Sequence, residues 1–240
     1  MILSAVALSN RERDEQRVEY TFHFIDVWTN REELLWGAWL TVRLSAISMV
    51  LSLLIAIFGA LARTSGPKWL RGVVAAYVEF VRNTPFLVQV FVIFFGLPAL
   101  GLRLEANTGA LIAMVLNGSA YTIEIVRAGI QAIDHGQVEA AYALGLHKLQ
   151  AFRSIVLPQA LRAVFTPLGS QFILLMLNSS IVSVISAEEL TAAAQDIQSR
   201  TFRSFEVYIV TIAIYLVLSI SFSAVFAALN RIFFPRLETR

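Results

Sequence analysis

The sequence predicts an all-α polytopic membrane protein with about five transmembrane helices. Three observations carry that prediction. Of the 240 residues, 57% are hydrophobic and 15% are charged, with a mean hydropathy of +0.68; soluble domains run near 45–50% apolar and about 25% charged. Five windows free of Asp, Glu, Lys and Arg approach or exceed the ~20 residues that cross a ~30 Å hydrocarbon core. The basic residues, finally, are unevenly shared among short loops. The net charge of +2 is too small to suggest nucleic acid as a partner. With no cysteine, a disulfide framework, a thiolate metal site and a cysteine nucleophile are excluded.

The segment 1–32 reads as an extracytoplasmic tail. Met1 to Ser9 is apolar but short, lacks a basic start and runs into Arg11-Glu12-Arg13-Asp14-Glu15, unlike a cleavable leader. The membrane domain follows over 33–235, with 236–240 as a cytoplasmic tail. The windows are Leu44–Ala62, Asn83–Leu102, Ala106–Ile123, Ala163–Ala187 and Val207–Asn230. The first helix begins near Glu33, with Trp36 and Trp39 as interfacial anchors. The second begins near Trp69 and takes in Glu79 and Arg82. Thr84-Pro85 bends it, because proline removes a backbone hydrogen bond.

Lys and Arg counts set the orientation. With the N-terminus outside, the inner side holds Arg63, Lys68, Arg71, Arg127, Lys148, Arg153, Arg162, Arg231, Arg236 and Arg240, and the outer loops hold only Arg103, Arg200 and Arg203. Ten against three gives N-out and C-in, with 134–160 as a cytoplasmic loop. Five spans without a visible repeat do not divide into the matching halves of inverted-repeat carriers. So thin an enclosure places a solute pathway between two such subunits, identical or homologous.

The loop itself is built for order. Asp134 caps a short helix of good helix formers that ends at Gly145, where a left-handed residue carries no steric cost. Lys148 to Val156 reads as a second short helix with Leu149, Phe152, Ile155 and Val156 on one face, and Pro158 suits the first turn of the next helix. Ala140, Ala141 and Ala143 give the first helix a low profile and Glu139 offers a carboxylate. Spacing alone leaves two readings level: docking on another protein, or lying on the inner leaflet.

Glu139, Ala140, Ala141, Leu144, Gly145, Ile155, Leu157, Pro158, Ala160, Leu161 and Arg162 match the pattern of a known loop. With Gly37 to Ser45, Glu79 to Gln89 and Ala120 to Ile130, they make the chain, over roughly Phe22 to Phe234, resemble the permease subunits of polar amino-acid ABC importers, the histidine- and glutamine-type family. The resemblance implies a type I importer permease fold in the bacterial inner membrane. It implies a second permease subunit, two ATPase subunits that carry ATP-Mg, an extracytoplasmic solute-binding protein and an amino-acid substrate. Glu139, Ala140, Ala141, Leu144 and Gly145 would engage the ATPase as a coupling helix, with 134–158 as the lever. Two departures touch the pathway: Asn83 stands where the family often has glycine, and Leu177-Asn178-Ser179-Ser180 stands where it often has lysine before a T-S or S-S pair.

Several polar groups fall within the apolar windows. Glu79 and Arg82, three apart, share a helix face and can pair. Asn117, Tyr121 and Glu124 form a stripe on span three, and Asn178, Ser179 and Ser180 lie midway along span four. Each alone reads as interhelical glue; as a set around a dimer interface they are the substrate-path candidates. His23, His135 and His147 show no metal spacing. There is no G-x-x-x-x-G-K-[ST] loop to cradle a nucleotide, so the sequence predicts no enzyme on this chain. The competing reading is an ion-coupled carrier or channel using Glu79, Arg82 and Glu124 as relay groups.

Overall fold

The computed structural model describes residues 20–234, and the Met1–Ser9 stretch lies outside them. A short α1 (Ile25–Thr29) leads into α2 (Arg31–Ser65), then α3 (Lys68–Arg82), α4 (Phe86–Ala99) and α5 (Ala106–Gln131). The loop helices α6 (His135–Ala143) and α7 (Lys148–Ala151) follow. A π-helical turn (Phe152–Val156) joins α7 to α8 (Leu157–Asn178), which tightens into a 3-10 segment (Ser179–Ile185) before α9 (Leu190–Thr201) and α10 (Ser204–Phe233). Four helical stretches are long and apolar enough to cross a membrane: α2, α5, Lys148–Ile185 and α10. The fifth is the pair α3–α4, bent by 108°.

The bundle holds together through small residues, which lipid-embedded helices need because there is no hydrophobic drive between them and only close contact rewards association. On α2, Gly37, Thr41, Ser45, Ser48, Ser52, Ala56 and Ala60 recur every three or four residues and are all buried, several of them against α5. Ser52 donates to the Val115 carbonyl at 3.2 Å. Where α5 crosses α8, a Cβ on Gly129 would stand 2.0 Å from Val164 Cγ1, so only glycine permits that approach. The main core gathers Val90, Met114, Leu168, Phe172, Leu175 and Val182. A second cluster, around Val27, Leu34, Leu190, Ile197 and Val207, pins α1 and α9 to α2 and α10. Ile212, Leu216, Val217 and Ile220 on α10 stay exposed, as a lipid-facing helix requires.

The second predicted span departs most from the sequence reading. Pro85 lacks the N–H that would have paired with the Val81 carbonyl, and α3 and α4 meet nearly at a right angle. Gln89 repairs the break: its amide donates to Val81 O at 2.8 Å, to Thr84 O at 3.1 Å and to Thr84 Oγ1 at 2.8 Å. The loop end is corrected as well. The second loop helix is not a separate Lys148–Val156 element, since α7 widens into the π turn and runs on into α8. The Leu157 N–H reaches back five residues to Phe152 O, one more than in an α-helix, immediately before Pro158. That extra residue accommodates the proline, whose ring clashes with the carbonyl four residues earlier in a regular helix.

Candidate coupling loop and polar seam

The first loop helix has both ends closed. Asp134 accepts the Gly136 N–H at 2.7 Å. At the other end Gly145 has φ +80, its N–H donates to Tyr142 O at 3.0 Å, and the Leu146 N–H donates to Ala141 O at 3.1 Å. That pair of bonds is a Schellman turn, and it consumes carbonyls that the helix end would leave open. His147 and Gln150 then cap each other's backbone N–H groups at the start of α7. Ala141 turns inward at 3% exposure, whereas Leu144 is 83% and Leu149 68% exposed. Glu139, Ala140, Ala143 and Gly145 are also exposed. An ordered polar loop thus holds two leucines out in the open.

The polar candidates divide into two groups. Along the seam of α3 and α5, the Arg82 guanidinium lies 5.5 Å from the Tyr121 ring centroid, within cation–π range. Asn117, 4% exposed, donates to Gln89 Oε1 at 3.0 Å, tying α5 to the bend. Tyr77 donates to Leu116 O at 2.6 Å from the same side. Glu124 is held by Arg127, whose Nε donates to both carboxylate oxygens at 3.1 Å.

The expected Glu79–Arg82 ion pair is absent among the described residues. Glu79 instead accepts from Asn83 Nδ2 at 3.0 Å, and Arg82 turns to Tyr121. The reason is local: α3 ends at Arg82, and Asn83, beyond the last helical turn, folds its amide back onto both the carbonyl and the carboxylate of Glu79.

The second group sits elsewhere. Ser179 and Ser180 are not midway along an α-helix but open the 3-10 segment, and their hydroxyls donate to Met176 O at 2.7 Å and Leu177 O at 2.8 Å. Asn178, half-buried, is the last residue of α8. Among the described residues no hydrogen bond joins this group to the seam of α3 and α5.

Two buried carboxylates escaped the sequence reading. Glu189 is 1% exposed and caps α9, accepting the Ala192 N–H at 2.7 Å and the Tyr215 hydroxyl at 2.7 Å. Burial pushes its carboxyl above the usual carboxylate range, against the lowering pull of Tyr215. Leu190 N–H donates to Thr41 at 3.0 Å, locking this corner to α2. Glu206 is fully buried and accepts the His23 N–H at 2.9 Å and the Tyr20 hydroxyl, which fastens the segment before α1 onto α10. The one sequence signal was that both follow within three residues of a break in helical pattern, where carboxylates cap.

A bundle of four to five candidate spans with small-residue seams and an ordered polar loop makes this a polytopic membrane protein. Residues 41–238 match the family described as binding-protein-dependent transport system inner membrane component, and the chain belongs to that family. It is similar to a probable glutamine ABC transporter permease of Bacillus subtilis (strain 168), 41% identical over 187 residues, covering 78% of this chain and 87% of the relative. The glutamine transport system permease of Escherichia coli (strain K12) is 33% identical over 212 residues, covering 88% and 97%. The crystal structure of an amino acid ABC transporter with histidines superposes with a TM-score of 0.83 at 38% identity, over 88% of this chain and 99% of that one. The chain is therefore an inner-membrane permease component of an ABC importer, a class in which nucleotide hydrolysis belongs to a separate subunit. Such a binding-protein-dependent system implies an ATPase and a solute-binding protein as partners.

Proposed function

We propose that this chain is one of two permease subunits that together enclose the pathway for a polar amino acid, and that it takes its driving force through the 134–158 loop. Its N-terminus lies outside and its C-terminus inside, so that the loop meets two cytoplasmic ATPase subunits that bind ATP-Mg, while an external binding protein delivers the substrate. The observation that carries this reading is the loop: closed by caps at both ends, continuous with α8 through the π turn, and exposing Leu144 and Leu149. Apolar side chains held out by a rigid polar scaffold favour burial in another protein's groove. A displacement of that scaffold passes along α8 as along a lever, which is a coupling of two distant sites through one two-state element.

The glutamine names of two relatives support the substrate class. The polar seam of Arg82, Asn117, Tyr121 and Glu124, joined by Asn178, Ser179, Ser180 and Glu79 from a facing subunit or from this one, is the proposed path lining. The pairing of Glu124 with Arg127, whose Nε donates to both carboxylate oxygens, speaks against Glu124 as the relay group of an ion-coupled carrier.

The test is uptake in reconstituted vesicles with ATPase and binding protein present. Glu139→Lys and Gly145→Asp are expected to insert normally and to lose ATP-driven uptake at least tenfold. Uptake that survives both substitutions, or that runs on a proton gradient without the ATPase, overturns the proposal.

A further inference from the structure

A groove of about 200 Å³ opens beside α2 at the α9 end of the bundle. Leu44, Ile47 and Leu111 line it, and so do two residues of opposite charge, Arg43 and Glu188. Both are exposed, and no ion pair joins them among the described residues. The backbone that carries Glu188 is fixed. Ser186 turns the chain at φ +60, and the Glu188 N–H donates to Asn107 Oδ1 on α5 at 2.7 Å. Two residues on, the Leu190 N–H donates at 3.0 Å to Thr41, which stands two residues before Arg43 on α2. A carboxylate and a guanidinium are thus held on one groove without neutralising each other.

The rest of α2 decides what lies between them. Below Arg43 the exposed residues Ile47, Val50, Leu54 and Phe58 recur at helical spacing, so the cation heads an apolar stripe. Arg43 to Leu54 covers roughly 16 Å at 1.5 Å per residue, about half of a ~30 Å hydrocarbon core and so the depth of one leaflet. The stripe holds no small residue. Helices that pack in lipid meet through small ones, and Thr41, Ser45, Ser48 and Ser52 of α2 are buried on its opposite face. Bulky exposed side chains of this kind suit acyl chains better than a helix of a second subunit.

The two charges then select the headgroup. A guanidinium grips phosphate oxygens through paired N–H donors. A carboxylate across the groove attracts a cation that can donate to it, and repels a headgroup that is only anionic. A phosphate linked to a primary ammonium satisfies both residues. A quaternary ammonium has no N–H to give, and a glycerol headgroup has no positive charge.

We infer that this groove binds a phospholipid of the phosphatidylethanolamine class. Its phosphate sits on Arg43, its ammonium on Glu188, and an acyl chain runs along Ile47, Val50 and Leu54. The bound lipid bridges α2 to the turn that leads into α9, in the leaflet opposite the coupling loop. This assignment holds whichever solute the subunit carries.

The absence of cysteine allows a single probe. A fluorophore on Val50→Cys, in the full chain reconstituted in vesicles, is exposed to lipids that carry a nitroxide on one acyl chain. Phosphatidylethanolamine is expected to quench at about one-fifth the mole fraction that phosphatidylcholine or phosphatidylglycerol requires. Glu188→Gln should bring phosphatidylethanolamine and phosphatidylcholine within about twofold of each other, and Arg43→Gln should weaken quenching by all three lipids. The comparison of lipids on the parent chain needs neither substitution, so it decides the matter even if a variant misfolds. Equal quenching by the three lipids overturns the inference, as does a phosphatidylethanolamine preference that survives Glu188→Gln in folded protein. Relief of quenching by millimolar free glutamine makes the groove a solute site, and disulfide formation between Val50→Cys copies makes it a subunit interface; either result ends the proposal.

Discussion

The two ends of α8 are built on opposite principles. At the α9 end three polar anchors are turned inward and used: Glu189 caps α9 and takes the Tyr215 hydroxyl, Thr41 takes the Leu190 N–H, and Glu206 clasps the segment before α1. At the loop end the backbone is fully capped but the side chains point out, with Leu144, Leu149 and Glu139 in the open and an apolar groove beneath. One end is complete as it stands. The other is ordered yet unfinished, and order without internal packing is what a docking element needs. A subunit that transmits force requires both, a fixed corner to pivot against and a handle that a partner can hold.

That contrast predicts unequal costs of mutation. The largest stability effect is expected for Glu189→Ala, which removes a helix cap, strips the Ala192 N–H of its acceptor and leaves the Tyr215 hydroxyl only Thr191 as a partner, a loss of about 2–3 kcal/mol. Thermal unfolding in detergent should show a drop of several degrees. Gln89→Leu comes next: it strands the Val81 and Thr84 carbonyls at the α3–α4 bend, at a cost of roughly 1–3 kcal/mol by the same assay. Gly145→Ala should cost about 1–2 kcal/mol through its positive φ alone, since a Cβ there meets open space. Leu144→Ala, by contrast, is expected to leave stability within about 0.5 kcal/mol and to weaken only partner binding. A large loss of stability in Leu144→Ala would erase the distinction between the two ends.

A pH series sharpens the same comparison. The folded state raises the Glu189 carboxyl above its unfolded value of about 4.3. Its contribution is therefore fully present below that value and is lost as pH rises through the raised one. Glu189→Gln, which cannot ionise, should gain stability relative to the parent chain over that rise. Arg200→Gln, at an exposed cluster with Glu33 and Asp196, should leave the melting temperature where it is.

Much of this architecture could be read from residue order. The charge-free windows foresaw the spans, Asp134 and Gly145 marked the ends of α6, and Pro85 marked a bend, because each of these acts through backbone chemistry within a few residues. What failed depended on distance in sequence. The size of the bend rests on Gln89 reaching back to Val81, which helix periodicity does not reveal. The Glu79–Arg82 pairing was sound spacing on a helix that stops at Arg82, so the neighbouring Asn83 and the distant Tyr121 won instead. Glu189 lies two residues past an apolar window, and only the packing of α9 on α2 and α10 buries it. Asn117 and Tyr121 share one side of α5, as their spacing predicts, and meet Gln89 and Arg82 there, while the Ser179 and Ser180 hydroxyls are taken by a 3-10 turn that no pattern announced.

The account stands most directly on whether the exposed tip of the loop sits in an ATPase groove that moves with nucleotide. Leu144→Cys in the otherwise cysteine-free chain, assembled with the ATPase and treated with a short bifunctional thiol reagent, measures this. Cross-linking to a cysteine in the ATPase, with a yield that changes at least threefold between ATP-bound and nucleotide-free states, is the predicted result. Absence of any cross-link in assembled, ATP-hydrolysing complex, or capture of lipid alone at that position, would contradict it.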